Sequence, residues 1–286
     1  MTPLRLGGAV LDLSSRTHIM GVLNVTPDSF SDGGRFVDAG GRADVTMAVE
    51  AALLMADEGA DVIDVGGEST RPGAAPLSVS EEMDRVVPVI EGVRKVSRTP
   101  ISIDTYKAAV ARAAMSAGAD MINDISGLAF DPEMPAAAAK TGAALVIMHI
   151  KGAPPDMQKA PRYDDLIGEV KAYLLAGADK AVRAGVPRDR ILLDVGIGFG
   201  KTAAHNLALI NRLDEFGSLG YPLVLGVSRK AFIGGLTGGA GPGDRLEGSL
   251  AAAVIGIARG ASVIRAHDVR ATRRAAAVAD AILRAL

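Results

Sequence analysis

Four stretches decide the fold: GADVIDVGGE (59–68), GADMINDIS (118–126), GAALVIMH (142–149) and GASVIRAHD (260–268). In each, a helix-like stretch ends in Gly-Ala, an apolar β-branched run follows, and the run closes on a polar residue. The glycine suits the left-handed position just past a helix C-terminus, and the apolar run suits a buried strand. HIMGVLN (18–24), PISID (100–104), RILLD (190–194) and PLVLGVS (222–228) have the same strand character without the Gly-Ala lead. The total is eight. Helical spacing fills the intervals, as in Val45, Ala48, Val49, Ala52, Leu53 and Ala56, and again in Ala275, Val278, Ala279 and Ile282. Eight strand–helix alternations point to parallel pairing with right-handed crossovers.

These features predict an α/β fold, a (β/α)8 TIM barrel, in preference to an open doubly wound sheet. Residues 1–16 read as an N-terminal β-hairpin that plugs the bottom of the barrel. The chain has 286 residues, so one barrel of roughly 250 residues with long loops uses all of 1–286 as a single domain. No linker or low-complexity stretch interrupts it, and the Gly-rich GLTGGAGPGD (235–244) reads as a flexible loop.

Composition narrows the function. Hydrophobic residues make up 49% and aromatics 3%, which suits an aliphatic core of parallel strands. A net charge of −2 offers no footprint for nucleic acid or an anionic membrane, so an anionic substrate needs local cations. The absence of cysteine removes disulfides and thiolate metal sites. The N-terminus does not read as a signal peptide, and Arg259 breaks the longest apolar run, so a cytoplasmic protein is expected.

The chemistry collects at the strand ends: Asn24, Asp64 with Glu68 beyond it, Asp104, Asn123, His149, Asp194, Ser228 with Lys230, and Arg265 with His267. In a barrel these ends converge on one mouth, where active sites lie. Helix capping accounts for single Asp or Asn residues but not for Lys230, Arg265 or His267. Two loops are longer than the usual βα connection: 25–41, with Phe30, Asp32 and Arg35, and 66–78, with Thr70, Arg71 and Pro72. VGIGFGKT (195–202) resembles a phosphate loop but has Val195 where that motif needs glycine. It reads instead as a tight turn carrying Phe199, with Lys201 at the rim. Lys230 and Arg265 follow strands seven and eight, where barrels often bind phosphate, and Arg229 reads as solvated. Asn24 is a hard-oxygen ligand able to share Mg2+ with a diphosphate. Asp104, Asn123 and Asp194 match the donors and acceptors on a pterin edge. Met148 is a possible ring contact, His149 is as easily structural as functional, and His18 and His205 read as surface or structural.

MGVLNVTPDSFSDGG (20–34), DVGGESTRPGA (64–74), SIDT (102–105), NDISG (123–127), MHIKGAPPDMQ (148–158), GFGK (198–201), GVSRK (226–230) and RAHDV (265–269) resemble the motifs of dihydropteroate synthases, in order and over nearly the whole chain. That resemblance implies a transferase of folate biosynthesis and a sulfonamide target. It would condense 6-hydroxymethyl-7,8-dihydropterin diphosphate with 4-aminobenzoate by an Mg2+-assisted, SN1-like substitution, and would be a homodimer. It implies that Asp104, Asn123, Met148, Asp194, Phe199 and Lys230 bind the pterin. Asn24, Arg265 and His267 would take the diphosphate, with Asn24 also on the metal. Thr70, Arg71, Pro72, Phe30 and Ser228 would form the 4-aminobenzoate site. Catalysis would rest on Lys230, Arg265, His267 and Asp104. Val195 departs from the proline common there, and Ala266 from a larger Val. Two rivals are a pterin-binding methyltransferase barrel working with a cobalamin partner, which needs no diphosphate site, and a non-catalytic pterin binder.

Overall fold

The computed structural model describes residues 3–26, 44–70 and 73–285. Eight parallel strands close into a barrel in the order β10-β3-β4-β5-β6-β7-β8-β9. They are β3 (His18–Asn24), β4 (Val62–Gly66), β5 (Ile101–Asp104), β6 (Met121–Asp124), β7 (Ala144–Met148), β8 (Ile191–Asp194), β9 (Leu223–Leu225) and β10 (Ala261–Ala266). Each coincides with one of the eight strand readings above. The helices between and after them are α1 (Val45–Asp57), α2 (Val79–Val96), α3 (Ala108–Ala117), α4 (Met134–Thr141) and α5 (Leu166–Ala184), then α6 (Ala203–Asn211), α7 (Ala231–Leu236), α8 (Leu246–Ala258) and α9 (Val269–Leu283). The Gly-Ala repeat works as read: Gly59, Gly118, Gly142 and Gly260 have φ of 100°, 114°, 70° and 93°. Only glycine takes that conformation without strain, so each helix stops there and the next strand begins.

The N-terminal residues form the expected hairpin, β1 (Leu4–Leu6) against β2 (Ala9–Leu11), antiparallel. Leu4, Leu6 and Leu13 join a buried cluster with Met20, Val62, Met121, Val146, Leu192, Val224 and Val263. Those barrel residues sit low on their strands and face inward, so the hairpin does plug the bottom. A second, larger cluster lies between the strands' outer faces and the helices.

The face of α9 is a correction. Val278 and Ile282, read as part of its apolar stripe, are 61% and 66% exposed. The helix buries Ala279 as expected, together with Val269, Thr272 and Ala276. Small side chains let it lie close against the barrel, and close packing outweighs the larger apolar pattern. α1 packs as expected, burying Ala48 and Ala52 with Val45 and Val49 against the core.

Candidate active site

Strand pleating builds the site. Side chains alternate inward and outward, so the residue two beyond a bottom-layer position faces inward one layer higher. Val62 gives way to Asp64, Met121 to Asn123, Leu192 to Asp194, and Val263 to Arg265. Register places Asp104 beside both Gly66 and Asn123, and Asp194 beside Met148. Among the described residues none of these strand-end side chains makes a capping bond, although Lys230 stands at the N-cap position of α7. The caps are made by other residues, among them Asp44, Ser78, Asp165 and Thr202.

Arg265 is the hub. Its Nε donates to Asp64 Oδ2 at 2.6 Å and its Nη2 to Asp104 Oδ2 at 2.7 Å. Asn123 Nδ2 donates to the same Asp64 oxygen at 3.2 Å. Asp64 is fully buried, and its other oxygen has no partner among the described residues. The sequence shows it as a strand end without indicating a role. Its part is to hold Arg265 and Asn123 at fixed angles. The two carboxylates push Arg265 above its ordinary pKa against the cost of burial, so its charge is permanent. Burial pushes Asp104 upward although Arg265 opposes it.

Asp194 is buried, and Oδ1 accepts from the Gly196 N–H at 2.7 Å. Burial raises its pKa, opposed by that bond and by the charges of Lys230, Arg265 and Lys201. Lys230 lies with Nζ 4.4 Å from the centre of the Phe199 ring. Burial, reinforced by Arg265, lowers it to about 8. The arrangement is a polar cup beside an aromatic wall, able to grip a flat heterocycle by its edge. Asn24, Thr26, Glu68, Thr70, Ser228 and His267 continue one cleft with Asp104, Phe199, Lys230 and Arg265. Met148 is buried at the end of β7, paired in register with Asp194.

Ser228 lines the same cleft as Thr70 and stands beside His267. Its Oγ lies 3.0 Å from His267 Nδ1 and accepts from the His267 N–H at 3.2 Å. Ser228 therefore orients the His267 ring at the wall of the cleft. Thr70 lines both this cleft and a neighbouring one walled by Phe199, Lys230, Phe232 and Leu236. Phe30, Asp32, Arg35, Arg71 and Pro72 lie outside the described residues.

Two further readings change, and the open one at His149 is decided. Arg229 is not solvated: Nη2 and Nε reach Asp268 at 2.7 and 3.0 Å. Its φ of 57° turns the chain into α7 and swings the side chain toward α9. Lys201 is not at the rim but 3% exposed, behind the turn. His149 is structural. Its ring packs 4.8 Å from Tyr173, and burial lowers it to about 2, so it stays neutral. His205 completes a capping box with Thr202, and His18 is buried at the start of β3, both structural. The 195–200 segment is the tight turn expected, with Gly196, Gly198 and Gly200 at φ of 68°, 87° and 65°.

The chain matches the model of the "Pterin binding enzyme" family over residues 20–267. It is 48% identical to a dihydropteroate synthase of Escherichia coli strain K12, over 97% of this chain and 95% of that one. It is 46% identical to a dihydropteroate synthase of Synechocystis sp., over 99% and 96%. A crystal structure of Yersinia pestis dihydropteroate synthase with a sulfonamide drug superposes with a TM-score of 0.94 at 44% identity, covering 99% of this chain and all of that one. The Xanthomonas albilineans enzyme in complex with 7,8-dihydropteroate gives 0.87 at 41%, over 100% of both. By its motifs, its barrel and these likenesses, the chain belongs to the pterin binding enzymes and, among them, to the transferases called dihydropteroate synthases.

Proposed function

We propose that this chain condenses 6-hydroxymethyl-7,8-dihydropterin diphosphate with 4-aminobenzoate, releasing diphosphate and 7,8-dihydropteroate. One observation carries the reading: the network of Asn123, Asp64, Arg265 and Asp104 opens into a cleft that also holds Lys230 and His267. Asp194, Asn123 and Asp104 would hold the pterin edge, because carboxylates facing a guanidine-like edge make charge-assisted bonds. Phe199 and Met148 would flank its faces, and Lys230 would donate to a ring acceptor. Arg265 and His267, the latter set by Ser228, would meet the oxygens of the leaving diphosphate. A cation-rich rim favours departure over a pterin-binding methyltransferase, which would have no diphosphate to hold.

The exocyclic C–O bond breaks, its electron pair leaves with the diphosphate, and the arylamine nitrogen bonds to the carbon and then loses a proton to solvent. Positioning of two substrates supplies up to about 7–11 kcal/mol of such a barrier. Thr70, with Arg71, Pro72 and Phe30, would shape the amine site.

Mg2+ fits as an ion carried by the substrate. Among the described residues no cluster of three acidic or histidine side chains could hold a metal. Asn24 supplies one neutral hard oxygen at the wall of the cleft, and phosphate oxygens complete such a shell. Asn24 would hold it, and the ion would neutralise charge developing on the diphosphate. The test is incorporation of labelled 4-aminobenzoate with and without Mg2+. Product only with metal supports the reading. Tight pterin binding without product in either condition would favour a non-catalytic binder.

A homodimer is proposed from an apolar face on α6, α7 and α8, where Leu207, Leu236 and Ile255 are 42%, 62% and 49% exposed. Leu236→Glu should yield monomers by sedimentation; an unchanged mass would refute that face. No helix among the described residues is long and apolar enough to cross a membrane. A cytoplasmic location is proposed with the folate reading, and activity confined to a pelleted membrane fraction would oppose it.

A further inference from the structure

Lys201 is a buried ammonium that the chemistry above does not use. Its Nζ lies 2.8 Å from His149 Nδ1 and donates to the Phe199 carbonyl at 3.0 Å. Among the described residues no carboxylate lies within ion-pair distance of it. Burying an ammonium without such a partner is costly: burial lowers the Lys201 pKa to about 7, and keeping the side chain in a well-packed interior calls for a compensating use. With Lys201 donating, both of its partners accept. His149 is neutral, and receiving this bond on Nδ1 places its own proton on Nε2.

The two partners stand at the exits of neighbouring strands. His149 follows β7, and its backbone N–H donates to the Asp194 carbonyl at 2.9 Å. Phe199 crowns the turn after β8, and its ring covers the Lys230 ammonium. The turn lies flat on the β7 exit. A Cβ at Gly196 would run into the His149 carbonyl, and one at Gly200 into the Lys151 carbonyl. Nothing bulkier than glycine allows this approach, and Lys201 is the side chain that bonds across it. The same ammonium adds to the positive charge acting on Asp194.

The geometry points to Lys201 as a positioning residue of the pterin slot, tying the β7 exit to the turn that carries Phe199 and so fixing the aromatic wall. It acts through Phe199 and need not touch substrate. The inference rests on the pterin reading of the slot.

The test is calorimetric titration of the full-length protein with 6-hydroxymethyl-7,8-dihydropterin, alongside steady-state kinetics. Lys201→Met should raise the pterin Kd about tenfold and leave the KM for 4-aminobenzoate within about twofold. Lys201→Gln, which keeps a donor, should recover most of that loss. In a Phe199→Ala background, Lys201→Met should add less than about a twofold further loss, because one wall has already gone. Should Lys201→Met fail to fold, the cycle runs with Lys201→Gln and its smaller effect must likewise vanish beside Phe199→Ala. An unchanged pterin Kd, equal losses for both substrates, or losses that multiply independently of Phe199 would overturn the assignment. A parent protein that does not bind the dihydropterin would instead sink the pterin reading, which keeps the two failures apart.

Discussion

The two ends of the barrel are built from the same strands and do opposite work. At the bottom, Met20, Val62, Met121, Leu192 and Val263 meet Leu4 and Leu6 of the hairpin in a dry cluster. Two residues further along four of these strands, Asp64, Asn123 and Arg265 are hydrogen-bonded together, and Asp194 accepts from the Gly196 N–H. Only the inward-facing residue type changes. The comparison teaches that one pleat repeat separates holding the fold from running its chemistry. Substitutions at one end should therefore move stability, and at the other affinity.

Arg265 is where this division should break. It belongs to the cup, yet it neutralises Asp64, which is fully buried. Arg265→Met should destabilise the protein by about 3–5 kcal/mol, because an unpaired carboxylate stays behind in the barrel. It should also weaken free pterin as well as diphosphate, since Arg265 holds Asp104. Denaturant unfolding beside a pterin titration checks both, and a variant of parental stability would restore the clean division.

Leu6→Ala tests the bottom alone. Removing this buried side chain should cost about 2–5 kcal/mol of stability while pterin Kd stays the same below the melt. A changed Kd would mean that the plug communicates with the mouth.

Asp194→Ala is the mirror experiment. Loss of two charge-assisted bonds should weaken pterin about a hundredfold, with little change in melting temperature. Unchanged affinity would remove Asp194 from the pterin edge.

The smallest effect is a pH trend. Lys201 titrates near 7 in the folded protein, lowered by burial from 10.5. Between those values the unfolded chain binds more protons than the folded one, so stability contributed through this group rises with pH. Lys201→Met removes the rise, and the parent should gain on the variant as pH is raised from 7 toward 10. Parallel unfolding curves across that range would contradict a depressed Lys201.

The sequence carried the barrel because its strand signals are local: a glycine at each helix end and an apolar run after it. It carried Asn24, Asp104, Asn123, Asp194, Lys230 and Arg265 because a closed parallel sheet sends every strand end to one mouth. Exposure and pairing were less legible. Lys201 beside glycines reads as a rim residue, and only the approach of the β7 exit buries it. Asp64 gained its role from Arg265, 201 residues away in sequence. Arg229 left solvent because a left-handed backbone redirects it, and α9 turned its alanines inward because the barrel leaves little room. Each depends on distances between segments that no local pattern encodes.

The most direct test of the central claim is a crystal structure of this protein soaked with 6-hydroxymethyl-7,8-dihydropterin diphosphate. The account predicts the ring edge on Asp194, Asn123 and Asp104, its face against Phe199, and phosphate oxygens at Arg265, His267 and Asn24. A pterin seated elsewhere, or lying in the cup with its diphosphate turned away from Arg265, would contradict it.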